Sequence, residues 1–194
     1  MKKIVIFASG SGTNAENMVL YFNKIEAAKV IYIFSNNANA KVLERAKKLN
    51  IPTEVFSKED FIGDKVLQKL SSIQPDLIIL AGFLLKFPQN CVEAFPNKII
   101  NIHPALLPKY GGKGMYGMNV HRAVVENKEP ETGITIHYVN ENYDEGNIIF
   151  QKSVSLLGNE TPDEVAAKVY ELEQRYFPEV IEKLITQDLK TKTI

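Results

Sequence analysis

The hydrophobic positions of this chain fall into short runs separated by amphipathic stretches. Residues 3–8, 30–35, 53–56, 76–81 and 99–103 are rich in Ile, Val, Leu or Phe. Several of these runs lack strict alternation, as expected of strands covered on both faces. Residues 14–27, 40–49, 58–72 and 88–94 read as the helices between them, the second with its apolar residues at helical spacing. The alternation predicts an α/β fold, an open, mostly parallel Rossmann-like sheet with helices on both faces.

After residue 103 the texture changes. Residues 104–117 contain two prolines and four glycines, the composition of a loop long enough to carry function. A helix is predicted near 120–126. Ile134, Ile136 and Tyr138 then alternate with Thr135, His137 and Val139, which predicts a strand over 133–139. A second strand over 148–156 follows, and Asp144-Glu145-Gly146-Asn147 reads as the hairpin turn between them. Thr161-Pro162-Asp163-Glu164 opens a long last helix, with Thr161 as N-cap, proline at the first position and Glu164 closing a capping box. A C-terminal hairpin plus long helix therefore completes the expected fold, with residues 187–194 as a frayed tail. No repeat or linker is visible, so residues 1–194 read as one domain.

Composition narrows the classes. Apolar residues form 45% of the chain, enough for a sizeable core. Lys+Arg and Asp+Glu number 23 each, which argues against a nucleic-acid-binding face or a charged tail. A single cysteine, Cys91, excludes an internal disulfide framework and fits a reduced, cytoplasmic setting. The apolar run over residues 4–8 is too short to span a membrane and leads at once into Gly-Ser-Gly, so it reads as a buried first strand.

Gly10-Ser11-Gly12-Thr13-Asn14-Ala15 follows the first strand and opens a helix, matching the G-x-G-x-x-G/A pattern in form and context. Glycines let a backbone approach an anion, which sits on the free N–H groups at the positive helix end. A dinucleotide site also needs a carboxylate about 20 residues on for a ribose hydroxyl. That stretch here is Phe34-Ser35-Asn36-Asn37, so a phosphate site is expected and NAD is not. The bland alternative is a tight strand-to-helix turn capped by Thr13 or Asn14.

Asn101 and His103, one residue apart on a strand, face the same way at about 6–7 Å spacing. They lie at a carboxyl strand end, where open α/β sheets place ligands. An amide donor beside an imidazole suits acyl chemistry, the amide holding an oxyanion and the imidazole passing a proton. The alternative is a polar strand end that satisfies loop backbone. Asp144 reads first as an ordinary turn residue; the alternative is that it, or Glu141 or Glu145 of the same turn, is the carboxylate that supports His103 and raises its pKa. His137 reads as a hydrogen-bonded structural residue in mid-strand. His121 reaches a ligand if the glycine-rich loop closes. The three histidines have no metal-site spacing, so no metal is expected. Residues 80–87, apolar as they leave the fourth strand, suit either core or a pocket for a flat ligand.

Three segments in order carry a resemblance across nearly the whole chain: Ser9-Gly10-Ser11-Gly12-Thr13-Asn14; Asn101-Ile102-His103-Pro104-Ala105-Leu106-Leu107-Pro108; and Thr135-Ile136-His137-Tyr138-Val139 with Asp144-Glu145-Gly146. Together they resemble the phosphoribosylglycinamide formyltransferase family of purine biosynthesis. The resemblance implies 10-formyltetrahydrofolate as co-substrate. It makes residues 1–100 the phosphate-binding half and 101–186 the catalytic half. It further implies that Gly10, Ser11, Gly12, Thr13 and Asn14 hold a ribonucleotide phosphate. Asn101 and His103 would act on the tetrahedral intermediate, with His103 as general acid and Asp144 as its carboxylate partner. Leu84, Leu85, Lys86 and Phe87 would contact the folate, and Glu173 the ribose. Its partners would be small-molecule substrates, with no nucleic acid and no membrane, in a monomer or homodimer. Ala105 stands where serine is frequent in the family, and Leu85 where some members carry arginine. Residues 111–117 are longer and richer in glycine than in many members, as befits a mobile cover. Methionyl-tRNA formyltransferase and formyltetrahydrofolate deformylase share the core, but each calls for a further domain not seen here. A sugar-nucleotide formyltransferase, or a non-catalytic nucleotide-binding module, is the remaining rival.

Overall fold

The computed structural model of the chain describes residues 1–191, with side chains described through residue 186. Five parallel strands form its first half: β1 (Lys2–Phe7), β2 (Ala28–Ser35), β3 (Thr53–Val55), β4 (Leu77–Leu80) and β5 (Ile99–His103). β6 (Glu131–Tyr138) runs antiparallel to β5, and β7 (Ile148–Ser155) antiparallel to β6. Among the described residues these form one sheet in the order β3-β2-β1-β4-β5-β6-β7. The strand order reverses between β1 and β4, which makes the crevice above their carboxyl ends the place where such sheets bind ligands.

The sequence explains the layering. Along β1, Ile4, Ile6 and Ala8 enter one core, while Val5 and Phe7 enter the other. β4 repeats the division, with Leu77, Ile79 and Ala81 against Ile78 and Leu80. The first core is covered by α1 (Thr13–Ile25), α2 (Lys41–Lys48) and α7 (Pro162–Thr191), and the second by α3 (Lys58–Ile62), α4 (Lys65–Ile73) and α5 (Gln89–Ala94). α6 (Met118–Glu126) packs beside α7 through a small third cluster that includes Val120 and Val165.

Two expectations change. The helix predicted over 58–72 is two helices, because Gly63 takes an extended conformation (φ −75°, ψ −172°) and ends α3. The capping box at Thr161 forms as read, with the Thr161 N–H donating to Glu164 at 2.7 Å and the Glu164 N–H to Thr161 Oγ1 at 3.3 Å. α7 then continues to Thr191, into the segment expected to fray, and residues 192–194 lie outside the described residues. No helix among the described residues is long and apolar enough to cross a membrane.

Candidate active site

A cavity of about 620 Å³ opens at the strand-order reversal. Gly10 to Asn14 line it on one side, and Asn101, His103 and Asp144 on another.

The loop after β1 is held by its neighbours. Buried Ser9 donates its backbone N–H to Gly82 at 3.0 Å, donates its hydroxyl to Asn36 at 2.6 Å and accepts from the Leu84 N–H at 3.0 Å. One small hydroxyl thus joins the exits of β1, β2 and β4, a role that single-chain patterning does not reveal. Gly12 adopts φ +74°, and a Cβ there would lie 2.5 Å from Val42 Cβ, so the loop needs glycine where α2 presses on it. The first bond of α1 runs from the Glu16 N–H to the Gly12 carbonyl at 2.9 Å. The amides of Thr13, Asn14 and Ala15 therefore have no acceptor within the helix and are available to an anion. The Asn14 side chain is not part of that supply, because it donates to Glu173 at 2.8 Å and accepts from Gln174 at 2.9 Å. Asn14 faces the cavity with its amide group already engaged. Glu173 lines the same cavity, and burial raises its carboxyl pKa from 4.5 to about 7, with Asn14 opposing.

Asn101 and His103 project from the same face of β5, as their spacing required. Antiparallel pairing sets His137 opposite Asn101 and Thr135 opposite His103. The buried Thr135 hydroxyl donates to the Ala105 carbonyl at 2.7 Å and accepts from the Leu107 N–H at 3.0 Å, which pins the chain leaving His103. His137 Nδ1 is 2.8 Å from the Tyr138 carbonyl, an acceptor, so the proton sits on Nδ1 and Nε2 accepts. Nε2 lies 3.1 Å from Asn101 Nδ2, which fixes the orientation of that amide. The second Asn101 N–H has only a long 3.4 Å contact with Asp144 Oδ1 and can turn to an incoming oxygen. His137 is thus the buried, hydrogen-bonded residue expected in mid-strand, and the residue it orients is Asn101. Its partner lies 36 positions away, a pairing visible only once β5 and β6 are in register.

Asp144 is the carboxylate the fold selects over Glu141 and Glu145. Its Oδ2 lies 3.6 Å from His103 Nδ1 and accepts from the Gly112 N–H at 2.9 Å, while Oδ1 lies 3.6 Å from His137 Nε2. His103 Nε2 is 2.7 Å from the Tyr110 carbonyl. Nε2 therefore carries a proton, and a second proton on Nδ1 would face Asp144 as an ion pair across 3.6 Å. Burial acts against that charge and prevails, so the His103 pKa lies below its ordinary 6.5 even though Asp144 and Tyr110 push it up. The expectation that Asp144 raises this pKa thus holds for its own influence but not for the net result. Asp144 itself stays below the usual carboxylate range: burial pushes it up, but the neighbouring His137 ring, the charge of His103 and the bond from the Gly112 N–H outweigh that.

The four residues expected to contact folate divide between two cavities. Leu84 lines the main cavity, whereas Leu85, Lys86 and Phe87 line a neighbouring one of about 730 Å³ with Tyr143. A narrow pocket of about 60 Å³ touches Leu85 to Phe87 as well as Asn101, His137 and Asp144. Phe87 is 3% exposed and meets Phe7 edge-on at 5.1 Å and Phe61 at 5.3 Å, so most of its ring belongs to the core. His121 lines the main cavity, with burial lowering its pKa, and its Nδ1 has no hydrogen-bond partner. Among the described residues no group of three or more His, Cys, Asp or Glu could hold a metal ion.

An oriented amide, an imidazole and a carboxylate lie beside a loop with free helix-end amides, an arrangement suited to carbonyl group transfer, and the chain belongs to the formyl transferase family, whose model matches residues 2–181. The relatives are more particular. The chain is 36% identical to the chloroplastic phosphoribosylglycinamide formyltransferase of Arabidopsis thaliana, over 97% of this chain and 67% of that protein. For the Vigna unguiculata counterpart the identity is 35%, over 94% of this chain but only 61% of the relative's length. The Haemophilus influenzae phosphoribosylglycinamide formyltransferase is 35% identical over 99% of this chain and 91% of its own. Among solved structures, glycinamide ribonucleotide transformylase 1 of Geobacillus kaustophilus superimposes with a TM-score of 0.87 at 33% identity, over 95% of this chain and 99% of that one.

Proposed function

We propose that this chain transfers the formyl group of 10-formyltetrahydrofolate to the primary amine of glycinamide ribonucleotide, as a cytoplasmic enzyme of purine synthesis acting on small molecules. The observation that carries the reading is a continuous cavity with Gly10 to Asn14 on one side and Asn101, His103 and Asp144 on another. A nucleotide phosphate on the loop amides sets its amine toward the cluster. The folate enters from the side of Leu85, Lys86 and Phe87, whose narrow pocket ends at Asn101 and Asp144.

The amine lone pair attacks the formyl carbon, forming a C–N bond as the carbonyl π electrons move to oxygen. Asn101 donates to that oxyanion, and the oxyanion's charge favours the protonated form of His103. Collapse re-forms the carbonyl and expels N10 of the folate, which takes a proton from His103. The amine's proton is returned to the cluster through Asp144, so the enzyme ends as it began. The scheme uses neither a metal nor a nicotinamide. In this reading Glu173 meets a ribose hydroxyl while keeping its bond to Asn14.

The test is turnover of 10-formyltetrahydrofolate with glycinamide ribonucleotide, followed by folate absorbance. Turnover with an amino sugar nucleotide but not with glycinamide ribonucleotide would transfer the assignment to a sugar-nucleotide formyltransferase. Tight binding of an NAD-type dinucleotide without turnover would favour a binding module.

A further inference from the structure

We propose that Lys113 is a binding residue for the phosphate of the nucleotide substrate, supplying the full positive charge that Gly10 to Asn14 lack. The inference rests on the functional reading above, because it takes the anion in the cavity to be the substrate's phosphate.

The charge inventory of the cavity leads to Lys113. Among the described residues that line it, Lys113 is the one lysine or arginine, whereas Asp144 and Glu173 contribute carboxylates. A phosphate monoester is close to a dianion at neutral pH, with a second pKa of about 6. The loop offers it neutral amides and the partial charge of about +0.5 at the start of α1. That attraction is opposed by the negative charge of Asp144 in the same enclosure. A cation at the cavity wall removes the imbalance.

Arg45, the cation nearest the loop in bonding terms, is already committed. Its Nε donates to the Ser11 carbonyl at 2.9 Å and its guanidinium pairs with Glu16. Lys113 makes no ion pair or side-chain hydrogen bond with a described residue and stands exposed between Gly112 and Gly114, at φ 92° and 89°. Its short stretch of backbone is nevertheless tethered on both sides. The Gly112 N–H donates to Asp144 at 2.9 Å, and Asn119 Nδ2 donates to the Gly114 carbonyl at 3.1 Å. An uncommitted ammonium on a flexible stem, held beside a cavity by a fixed backbone, suits the capture of a charged ligand.

The experiment compares wild type, Lys113→Ala and Lys113→Arg with two acceptors, glycinamide ribonucleotide and the corresponding riboside without phosphate. Loss of a charge-assisted contact should raise KM for the nucleotide about 10- to 100-fold in Lys113→Ala. KM for the formyl donor should not move, and Lys113→Arg should recover most of the affinity. With the riboside, wild type and Lys113→Ala should perform alike. An unchanged nucleotide KM in Lys113→Ala, or an equal defect with the riboside, overturns the proposal. Should wild type not turn over the nucleotide at all, the functional reading fails by itself. Calorimetric titration with ribose 5-phosphate then decides Lys113, weaker binding by Lys113→Ala supporting the role and equal binding refuting it.

Discussion

Replacing Gly12 by alanine probes how the anion loop is supported, and its cost can be worked from two independent features. The residue sits at φ +74°, where a non-glycine side chain costs about 1–2 kcal/mol. The new Cβ would also lie 2.5 Å from Val42 Cβ and Cγ2 and 2.6 Å from Val42 Cα. Ordinary carbon–carbon contacts sit at about 3.5–4.0 Å, so the overlap exceeds what a rotamer change relieves. Overpacking of this kind costs about 1–3 kcal/mol. Together the loss is about 2–5 kcal/mol, or a fall in Tm of roughly 4–20 °C for a chain of this size. α2 must shift away, and because Val42 donates its N–H to the Gly10 carbonyl at 3.1 Å, the loop shifts with it. KM for the nucleotide should rise while KM for the formyl donor stays near wild type. Trimming the neighbour in a Gly12→Ala, Val42→Ala double variant should restore little, since the new methyl group still meets the backbone and the first side-chain carbon of residue 42. Thermal melts read the first effect and steady-state kinetics the second. A Gly12→Ala enzyme melting within about 1 °C of wild type, or one fully rescued by Val42→Ala, would show that α2 does not support the loop as described.

Asn101→Ala should lower kcat by about 10²–10³, the range for one oxyanion donor, and His103→Ala by about 10²–10⁴; near wild-type turnover without His103 sinks its role as acid. Because Asp144 pushes the His103 pKa up against burial, Asp144→Asn should move the alkaline fall of kcat/KM to lower pH, and superimposable profiles would count against the pairing. Glu173 has its folded-state pKa raised to about 7, so its contribution to stability is full below about pH 4.5 and is lost as pH rises through about 7. That loss is at most roughly 3 kcal/mol. Glu173→Gln, neutral throughout, should flatten this part of the stability–pH curve in denaturant titrations at pH 5 and pH 8, and an unaltered slope would contradict it.

Much of the fold was legible because the two-faced strands repeat a simple code. In β1 and the residue after it, Ile4, Ile6 and Ala8 against Val5 and Phe7 supply both cores at once. The break at Gly63 was hidden because helical i, i+4 spacing of apolar residues continues across it from Ile62 to Val66. At the site, Asn101 and His103 were visible through their spacing alone, and the glycine loop through its context. His137 was not, because strand alternation gives a residue's face but not its partner. Nor could periodicity separate the two uses of Phe87, whose ring closes the aromatic core while its edge borders a cavity. The net pKa of His103 was misjudged for a similar reason, since sequence names the charged neighbour but not the depth of burial that outweighs it.

The change from parallel to antiparallel pairing after β5 is what assembles the polar cluster at the strand end. A sixth parallel strand would need a crossover helix and would place its residues in a slanted register. The antiparallel return of β6 instead sets His137 directly across from Asn101 and Thr135 across from His103. One of these residues orients the amide, and the other pins the loop that leaves the imidazole. The chain must then turn back over the same strand end to bring in Asp144. Gly146 permits this, since a Cβ at that position would lie 1.7 Å from the Tyr138 carbonyl oxygen. Asp144 arrives bonded to the Gly112 N–H, at the start of the segment that carries Lys113. The carboxylate beside His103 therefore also holds the segment that carries Lys113, so on the proposed role of Lys113 its removal should disturb nucleotide affinity as well as proton transfer. Asp144→Asn retains an oxygen that can accept from Gly112, whereas Asp144→Ala does not. If the structural and electrostatic roles are separate, only the alanine variant should raise KM for the nucleotide while both shift the pH profile, and equal KM values would leave Asp144 with its charge alone.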